Sequence, residues 1–330
     1  MLLKTLLCFC FLAGLGACCT PRIRQEAILR QTGLAKSDTI TLAYERFGQP
    51  RTEAILLIGG TNSQLTAWPV SFCERLARAG YQVIRFDNRD AGLSTKFTQL
   101  AGPDWLAMGH ALQAKKPVPV AYTLDDMADD AVGVLSYLNI QKAHIVGVSM
   151  GGMIAQRVAY RHADRVLSLV SIMAGGGKAD FPLIAKPAVM ASIPPPGLPT
   201  DTAAYIRREI KVLQVLGGPS YQTDSVAIRR LVERDLMRSY DPQGYERQGA
   251  ASLAGFYAGR QQQLQSIRVP TLVIHGSEDP LVLPAAGRDV AEHISNARFE
   301  LIEGMGHLIA EPWLDKLADL ILSQTKQVVP

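Results

Sequence analysis

Short continuous apolar runs alternate with helix-like stretches along most of this 330-residue chain, and that alternation limits its fold more than any other feature. The strand-like stretches are Ala54–Ile58, which is apolar throughout, and Val83–Phe86, His144–Val148, Val166–Met173, Leu272–His275 and Phe299–Ile302, which are apolar at most positions. Runs that are apolar at every position suit strands covered on both faces, as in a parallel sheet. Between them, Trp68–Ala79, Leu124–Leu138, Met150–Tyr160, Arg288–Ile294 and Pro312–Ser323 carry helical patterns. In Leu124–Leu138, for example, Met127, Ala128, Ala131, Val134, Leu135 and Leu138 fall on one helical face. Strands alternating with helices predict a doubly wound, mostly parallel α/β sheet. Ahead of it, Ala27–Leu34 and Thr39–Phe47 read as a β-hairpin around Ser37-Asp38.

Two stretches interrupt the alternation. Lys96–Tyr122, with Pro103, Pro117 and Pro119, reads as a long loop or insertion. Residues 178–268 follow Gly175-Gly176-Gly177, include Pro194-Pro195-Pro196, and then read as helices over Ala203–Val215, Ser225–Ser239 and Gln243–Leu264. An all-helical excursion between two sheet strands predicts a cap inserted into the α/β domain. The expected division is a core over 27–177, a helical cap over 178–268 and the rest of the core over 269–330. Inserts at one end of an open sheet are where binding sites form.

The first 18 residues belong to none of these parts. Lys4 precedes an apolar run of about 13 residues, short for a bilayer span and of the length of a signal-peptide core. The run ends in Leu15-Gly16-Ala17-Cys18, which resembles the lipobox of bacterial lipoproteins and implies cleavage before Cys18 and lipidation of its thiol. The expected location is therefore outside the cytoplasm, at a membrane surface through that anchor, with a plain periplasmic or secreted form as the alternative. Of the five cysteines, Cys8, Cys10, Cys18 and Cys19 lie in or beside this segment. Only Cys73 falls in the folded body, so no disulfide framework is expected there. A net charge of +4 with 19% charged residues, and no nucleic-acid-binding motif, gives no reason to expect a nucleic-acid partner.

The chemistry concentrates at Gly147-Val148-Ser149-Met150-Gly151, a G-x-S-x-G run with an apolar strand before it and a helix after it. A nucleophilic serine on a tight strand-to-helix turn needs flanking positions without side chains. The helix start behind Ser149 offers free N–H groups to a developing oxyanion. A serine hydroxyl also needs a base, which points to histidine. Of His110, His144, His162, His275, His293 and His307, only His307 follows the last strand in a turn-rich Gly304-Met305-Gly306 and precedes the last helix. That places it at the carboxyl end of the sheet, with Ser149. An acid must orient the histidine. Asp279, in the loop after Leu272–His275, is the choice, with Glu278 the nearest rival. For the oxyanion, the N–H of Met150 needs a companion. The turn Gly59-Gly60-Thr61-Asn62 supplies one, Gly60 being preferred and Thr61 the register alternative. No clustered His/Cys ligand set suggests a metal, and no cofactor is expected.

In this order, Ile58-Gly59-Gly60, Asp87-Asn88-Arg89-Asp90-Ala91-Gly92-Leu93-Ser94, Gly147-Val148-Ser149-Met150-Gly151-Gly152, His275-Gly276-Ser277-Glu278-Asp279 and Gly304-Met305-Gly306-His307 resemble the α/β-hydrolase superfamily. Gly59–Pro69 and Asp87–Ser94 look most like aclacinomycin methylesterase-type serine esterases, and also like enol-lactonases and cofactor-free haloperoxidases. The resemblance implies the α/β-hydrolase fold, the chain order Ser149, Asp279, His307, and hydrolysis of a small-molecule ester or lactone through an acyl-enzyme. It also implies that Asp87–Ser94 is a structural loop rather than a source of catalytic acids. Two departures are Ile58-Gly59, where many members have His-Gly, and the length of Lys96–Tyr122. Lactone opening, perhydrolysis and amide cleavage are the alternatives on the same triad. A non-enzymatic binding module of the same fold would be favoured by a missing triad member, and none is missing.

Overall fold

A computed structural model describes residues 27–177, 201–221 and 224–328. The expected signal segment 1–18 with Cys18, and residues 178–200 at the opening of the expected cap, lie outside the described residues. The strands are β1 (Arg30–Ser37), β2 (Ile40–Phe47), β3 (Ala54–Ile58), β4 (Gln82–Phe86), β5 (Ala143–Val148), β6 (Val166–Ile172), β7 (Thr271–Gly276) and β8 (Arg298–Ile302). They form one eight-stranded sheet in the order β1-β2-β4-β3-β5-β6-β7-β8. β1 and β2 pair antiparallel from Arg30↔Phe47 to Ser37↔Ile40, closing through Asp38 and Thr39, where Asp38 takes a φ of 49°. β2 joins β4 antiparallel, and every later pairing is parallel.

The strands are buried on both faces for the reason their composition gives. In β3, Leu56 and Ile58 enter one core, while Ile55 and Leu57 enter the other. The first core packs them against Met127, Ala131 and Val134 of α3 (Leu124–Tyr137) and Ile154 and Val158 of α4 (Met150–Arg161). The second packs them against Phe72 and Leu76 of α1 (Val70–Arg78) and Leu317 and Ile321 of α10 (Glu311–Thr325). Burying each such side chain contributes roughly 1.5–3 kcal/mol. Helices on both faces make the sheet doubly wound, as the alternation predicts.

Two expectations need correction. Lys96–Tyr122 is not all loop, because it contains α2 (Trp105–Gln113). Asp104 starts that helix by accepting a hydrogen bond from the Ala107 N–H at 2.9 Å. Met108 is buried and Ala111 and Leu112 are half-buried on one face, while Leu106 is 71% and Trp105 40% exposed, so the apolar stripe is short and mixed with exposed apolar residues. Gln243–Leu264 is not one helix either. α7 (Pro242–Tyr257) stops, and a short α8 (Gln261–Leu264) follows. The buried Arg260 donates to the Gly255 carbonyl (2.8 Å) and to Gln156 Oε1 (3.0 Å). It thereby caps an open helix end and turns the chain inward.

The helical excursion between β6 and β7 also includes α5 (Thr202–Leu216) and α6 (Ser225–Arg238). Helices α5, α6 and α7 each begin on an aspartate cap, Asp201, Asp224 and Asp241. α9 (Pro284–His293) begins four residues before the predicted start because Pro284 opens it. The excursion is fastened to the β4 loop by ion pairs. Arg238 meets Asp87 at 2.8 Å, and Arg247 meets Asp90 at 2.8 Å. Arg89 instead pairs with Asp130 on α3 at 2.6 Å.

Candidate active site

β3 has β4 on one side and β5 on the other, so the chain leaves their carboxyl ends in opposite directions. A crevice opens at such a switch point. The loop after β3 and Ser149 after β5 both border it. Ser149 has φ 55° and ψ −120°, a strained backbone for any residue with a side chain. Its N–H donates to the Ile172 carbonyl at 2.9 Å, which holds the turn against β6. Glycine is required on either side. A Cβ on Gly147 would enter the backbone of Gly151, and one on Gly151 would strike the carbonyls of Ile58 and Gly59.

Three side chains from three loops meet here. The Ser149 hydroxyl lies 2.9 Å from His307 Nε2, and His307 Nδ1 lies 2.7 Å from Asp279 Oδ2. A carboxylate accepts, so Nδ1 carries the imidazole proton and Nε2 is left to receive one from Ser149. Asp279 and His307 are buried, 4% and 7% exposed. Asp279 Oδ1 accepts the N–H groups of Leu281 (2.9 Å) and Val282 (2.8 Å), which fix the carboxylate. Burial alone would raise the Asp279 carboxyl, but the charge and hydrogen bonds of His307 and His275 outweigh it and hold it well below the usual range. Glu278, the rival acid, turns the other way. It accepts from Ser220 N–H (2.8 Å) and Ser220 Oγ (2.6 Å) at the far end of α5. The His307 N–H donates to the Leu216 carbonyl at 2.6 Å, so the end of α5 braces the histidine loop too.

The oxyanion candidates flank the serine. Met150 opens α4, so its N–H has no carbonyl of its own helix to bond. Gly60 approaches from the other side, where a Cβ would stand 3.4 Å from Ser149 Cβ. Asn88 Nδ2 steadies that loop by donating to the Gly59 carbonyl at 3.2 Å. Thr61, the register alternative, follows Gly60 in the same loop, and its hydroxyl donates to Ser252 Oγ of α7 at 3.1 Å. A cavity of about 100 Å³ lies beside Ser149, bounded by Thr61, Met153, Ser252, Phe256, Leu281 and others.

The other histidines have different occupations. His144 bonds Ser168 at 2.8 Å near the amino ends of β5 and β6, across the sheet from Ser149. His162 bonds Asp129 (2.6 Å) and His293 the Asp289 carbonyl (2.8 Å). His110 sits on α2. His275 is the one that sequence reasoning passed over. It is fully buried, and its Nε2 lies 2.9 Å from the Val282 carbonyl and 3.2 Å from Asp279 Oδ2. Both neighbours only accept, so Nε2 carries the proton and the triad carboxylate receives a second imidazole N–H. The signal was the spacing His275-Gly276-Ser277-Glu278-Asp279, which places the histidine at the end of β7 and the acid in the following turn.

Cys73 is fully buried on α1, and burial pushes its thiol up to about 12. It is expected to resist iodoacetamide at pH 8 in the native protein and to alkylate in full once the chain is unfolded. Mass spectrometry of the two samples checks this. Among the described residues no group of His, Cys, Asp and Glu could hold a metal ion.

Comparison with known proteins gives a consistent set of relatives. The family model for the alpha/beta hydrolase fold matches residues 53–312. Rhodomycin D methylesterase of a Streptomyces species is 29% identical over 314 residues, covering 89% of this chain and 98% of its own. A 3-oxoadipate enol-lactonase of Acinetobacter baylyi is 26% identical, covering 80% of this chain and 85% of its own. Among solved structures, a meta-cleavage product hydrolase of Pseudomonas fluorescens superposes with a TM-score of 0.69 at 20% identity, over 90% of this chain and 98% of that one.

Proposed function

The chain belongs to the alpha/beta hydrolase fold family, and on that premise we propose that it is a serine esterase acting on small-molecule carboxylic esters through an acyl-enzyme. The observation that carries this reading is the continuous chain from Ser149 Oγ to His307 Nε2 (2.9 Å) and from His307 Nδ1 to Asp279 (2.7 Å). Ser149 attacks the ester carbonyl as its proton passes to His307. The N–H groups of Gly60 and Met150 receive the negative charge that develops on the carbonyl oxygen. His307 then gives its proton to the departing alcohol, and water takes the alcohol's place to release the acid. Asp279 remains ionised throughout and stabilises the imidazolium.

Ester rather than lactone or amide chemistry is favoured by the methylesterase relatives, matched over nearly their whole length. A panel of methyl esters, lactones and amides tests it. The expected order places methyl esters first by at least tenfold in kcat/KM, and equal or better rates on lactones or amides would overturn it.

His275 acts as a positioning residue in this scheme, because its N–H lies 3.2 Å from Asp279 Oδ2, the same oxygen that receives the His307 N–H. His275→Phe removes the donor and keeps a ring beside Gly287. We expect kcat to fall by roughly tenfold with KM little changed, the scale of one lost positioning contact. His275→Gln restores an N–H and should recover part of the loss. A fall in KM-limited binding alone, or no recovery with Gln, would count against this role.

The apolar run of the first 18 residues and its Leu15-Gly16-Ala17-Cys18 ending support export and anchoring through a lipidated Cys18. No helix of the described residues is long and apolar enough to cross a membrane. In a bacterial host, the full-length protein should incorporate an alkyne-tagged fatty acid, and Cys18→Ser should abolish the label. Unchanged labelling of the variant would refute the anchor.

A further inference from the structure

We propose, resting on the esterase reading, that two buried amides, Asn88 after β4 and Gln248 on α7, are positioning residues for the oxyanion donor Gly60. The N–H in question belongs to the peptide unit that joins Gly59 to Gly60. With glycine on both sides, this unit meets the least steric resistance to turning over, so its direction must be imposed by what surrounds it. The unit is planar and trans, and the Gly59 carbonyl and the Gly60 N–H therefore point in opposite directions. Whatever holds the carbonyl aims the N–H. Asn88 Nδ2 donates to that carbonyl at 3.2 Å, from a side chain only 1% exposed. The start of α4 packs against the same oxygen, which would stand 2.5 Å from a Cβ on Gly151. The Asn88 bond also polarises the peptide unit and so strengthens its N–H as a donor.

Gln248 holds the other end of the same turn. The Asn62 N–H donates to Gln248 Oε1 at 2.9 Å, and Gln248 Nε2 donates to the Arg89 carbonyl at 2.5 Å. Gln248 is fully buried, and its two partners, one donor and one acceptor, fix which way its amide faces. Together the bonds close a ring. It runs from Gly59 to Asn88, along the chain to Arg89, across Gln248 to Asn62, and back through Thr61 to Gly60. The far side of the ring is anchored. Asp87 accepts the N–H groups of Leu65 (2.7 Å) and Leu93 (2.9 Å), and Arg89 pairs with Asp130 at 2.6 Å. Neutral amides suit this task, because each supplies a donor and an acceptor without placing a negative charge beside the developing oxyanion. Since Gln248 comes from α7, the helices between β6 and β7 take part in setting the donor.

The test measures kcat and KM on a methyl ester, and inhibition by phenylboronic acid, for the wild type, Asn88→Leu, Asn88→Ala and Gln248→Met. The boronic acid adds to the Ser149 oxygen as the hydroxyl proton passes to His307, and an oxygen of the tetrahedral adduct takes the oxyanion position. Both Asn88 variants should lower kcat by about fivefold or more and weaken the boronate in parallel, with KM within about threefold, because a misaimed donor is missed mainly in the transition state. Gln248→Met, which frees the turn two residues further on, should show the same pattern at about twofold or more. The acidic limb of the pH profile, set by His307, should keep its wild-type position in every variant. Smaller losses of kcat in both Asn88 variants, a loss carried by KM alone, an unweakened boronate or a displaced acidic limb would overturn the proposal. So would failure of all three variants to fold, which would make the amides supports of the fold alone. A wild-type rate in Gln248→Met would remove Gln248 from the scheme. Wild-type turnover reports the esterase reading separately. If the wild type is inert toward methyl esters and toward the boronate, the esterase reading and this proposal fall together, whereas an active wild type with unaffected variants overturns this proposal alone.

Discussion

Ser149→Ala is expected to lower kcat for a methyl ester by a factor of about 10⁴ or more, because losing the nucleophile of a triad disables the unit as a whole. The fold should survive, since the side chain makes a single hydrogen bond, to His307. Ser149→Gly sharpens the expectation. The backbone at φ 55° and ψ −120° is costly for alanine and accessible to glycine. Both variants should be equally inactive, yet the glycine variant should be the more stable, by on the order of 1 kcal/mol. Urea denaturation of the two beside the wild type gives that difference. Equal stability would mean that the turn holds no strain, and residual turnover near the wild-type rate would remove Ser149 from the mechanism.

Arg247→Met is expected to cost about 3–5 kcal/mol of stability, the scale seen when one partner of a buried ion pair is removed. Arg247 Nε and Nη2 donate to Asp90 at 2.8 and 2.9 Å, with both side chains 1% exposed or less. The substitution leaves Asp90 charged and buried, with the Phe97 N–H at 2.8 Å as a remaining donor but no cation beside it. Burial alone raises the Asp90 carboxyl, but Arg247 and the Phe97 N–H outweigh it and bring it below its usual value. A depressed carboxyl contributes stability above its unfolded pKa, near 4, and loses it as pH falls through the lower folded value. The penalty of Arg247→Met should therefore be full at neutral pH and above, shrink on acidification from above pH 4 as the unpaired, buried Asp90 of the variant takes up a proton, and shrink further below pH 4 as the wild-type pair is lost. Asp90→Asn combined with Arg247→Met should recover part of the loss at pH 7. Chemical denaturation at several pH values checks all three statements, and a penalty under 1 kcal/mol at pH 7 would contradict them.

The parts of this molecule that can be read in its sequence are those in which local pattern and tertiary role coincide. β3 and β5 are apolar at nearly every position because both faces of the sheet are covered. Their carboxyl ends therefore announce themselves, and with them the turns that present Gly60 and Ser149. The ordering Ser149, Asp279, His307 could be read because each residue follows its own strand. Asp87–Ser94 was legible as structure through its resemblance, and its acids do pair with Arg238 and Arg247 of the helices between β6 and β7. What escaped was non-local or weakly patterned. α2 buries only Met108 fully and exposes Trp105 and Leu106, and the break after Tyr257 depends on Arg260 reaching Gln156 across the fold. The bond from Thr61 to Ser252 joins residues 191 apart, which no spacing rule anticipates.

The claim beneath all of this is that the hydroxyl at position 149 is a base-activated nucleophile. A fluorophosphonate probe reads it directly, with peptide mass spectrometry to locate the adduct. The expected result is one adduct on Ser149 at pH 7.5, greatly slowed in His307→Ala and absent in Ser149→Ala. Labelling at another residue, or none on a folded wild-type protein, would contradict the assignment.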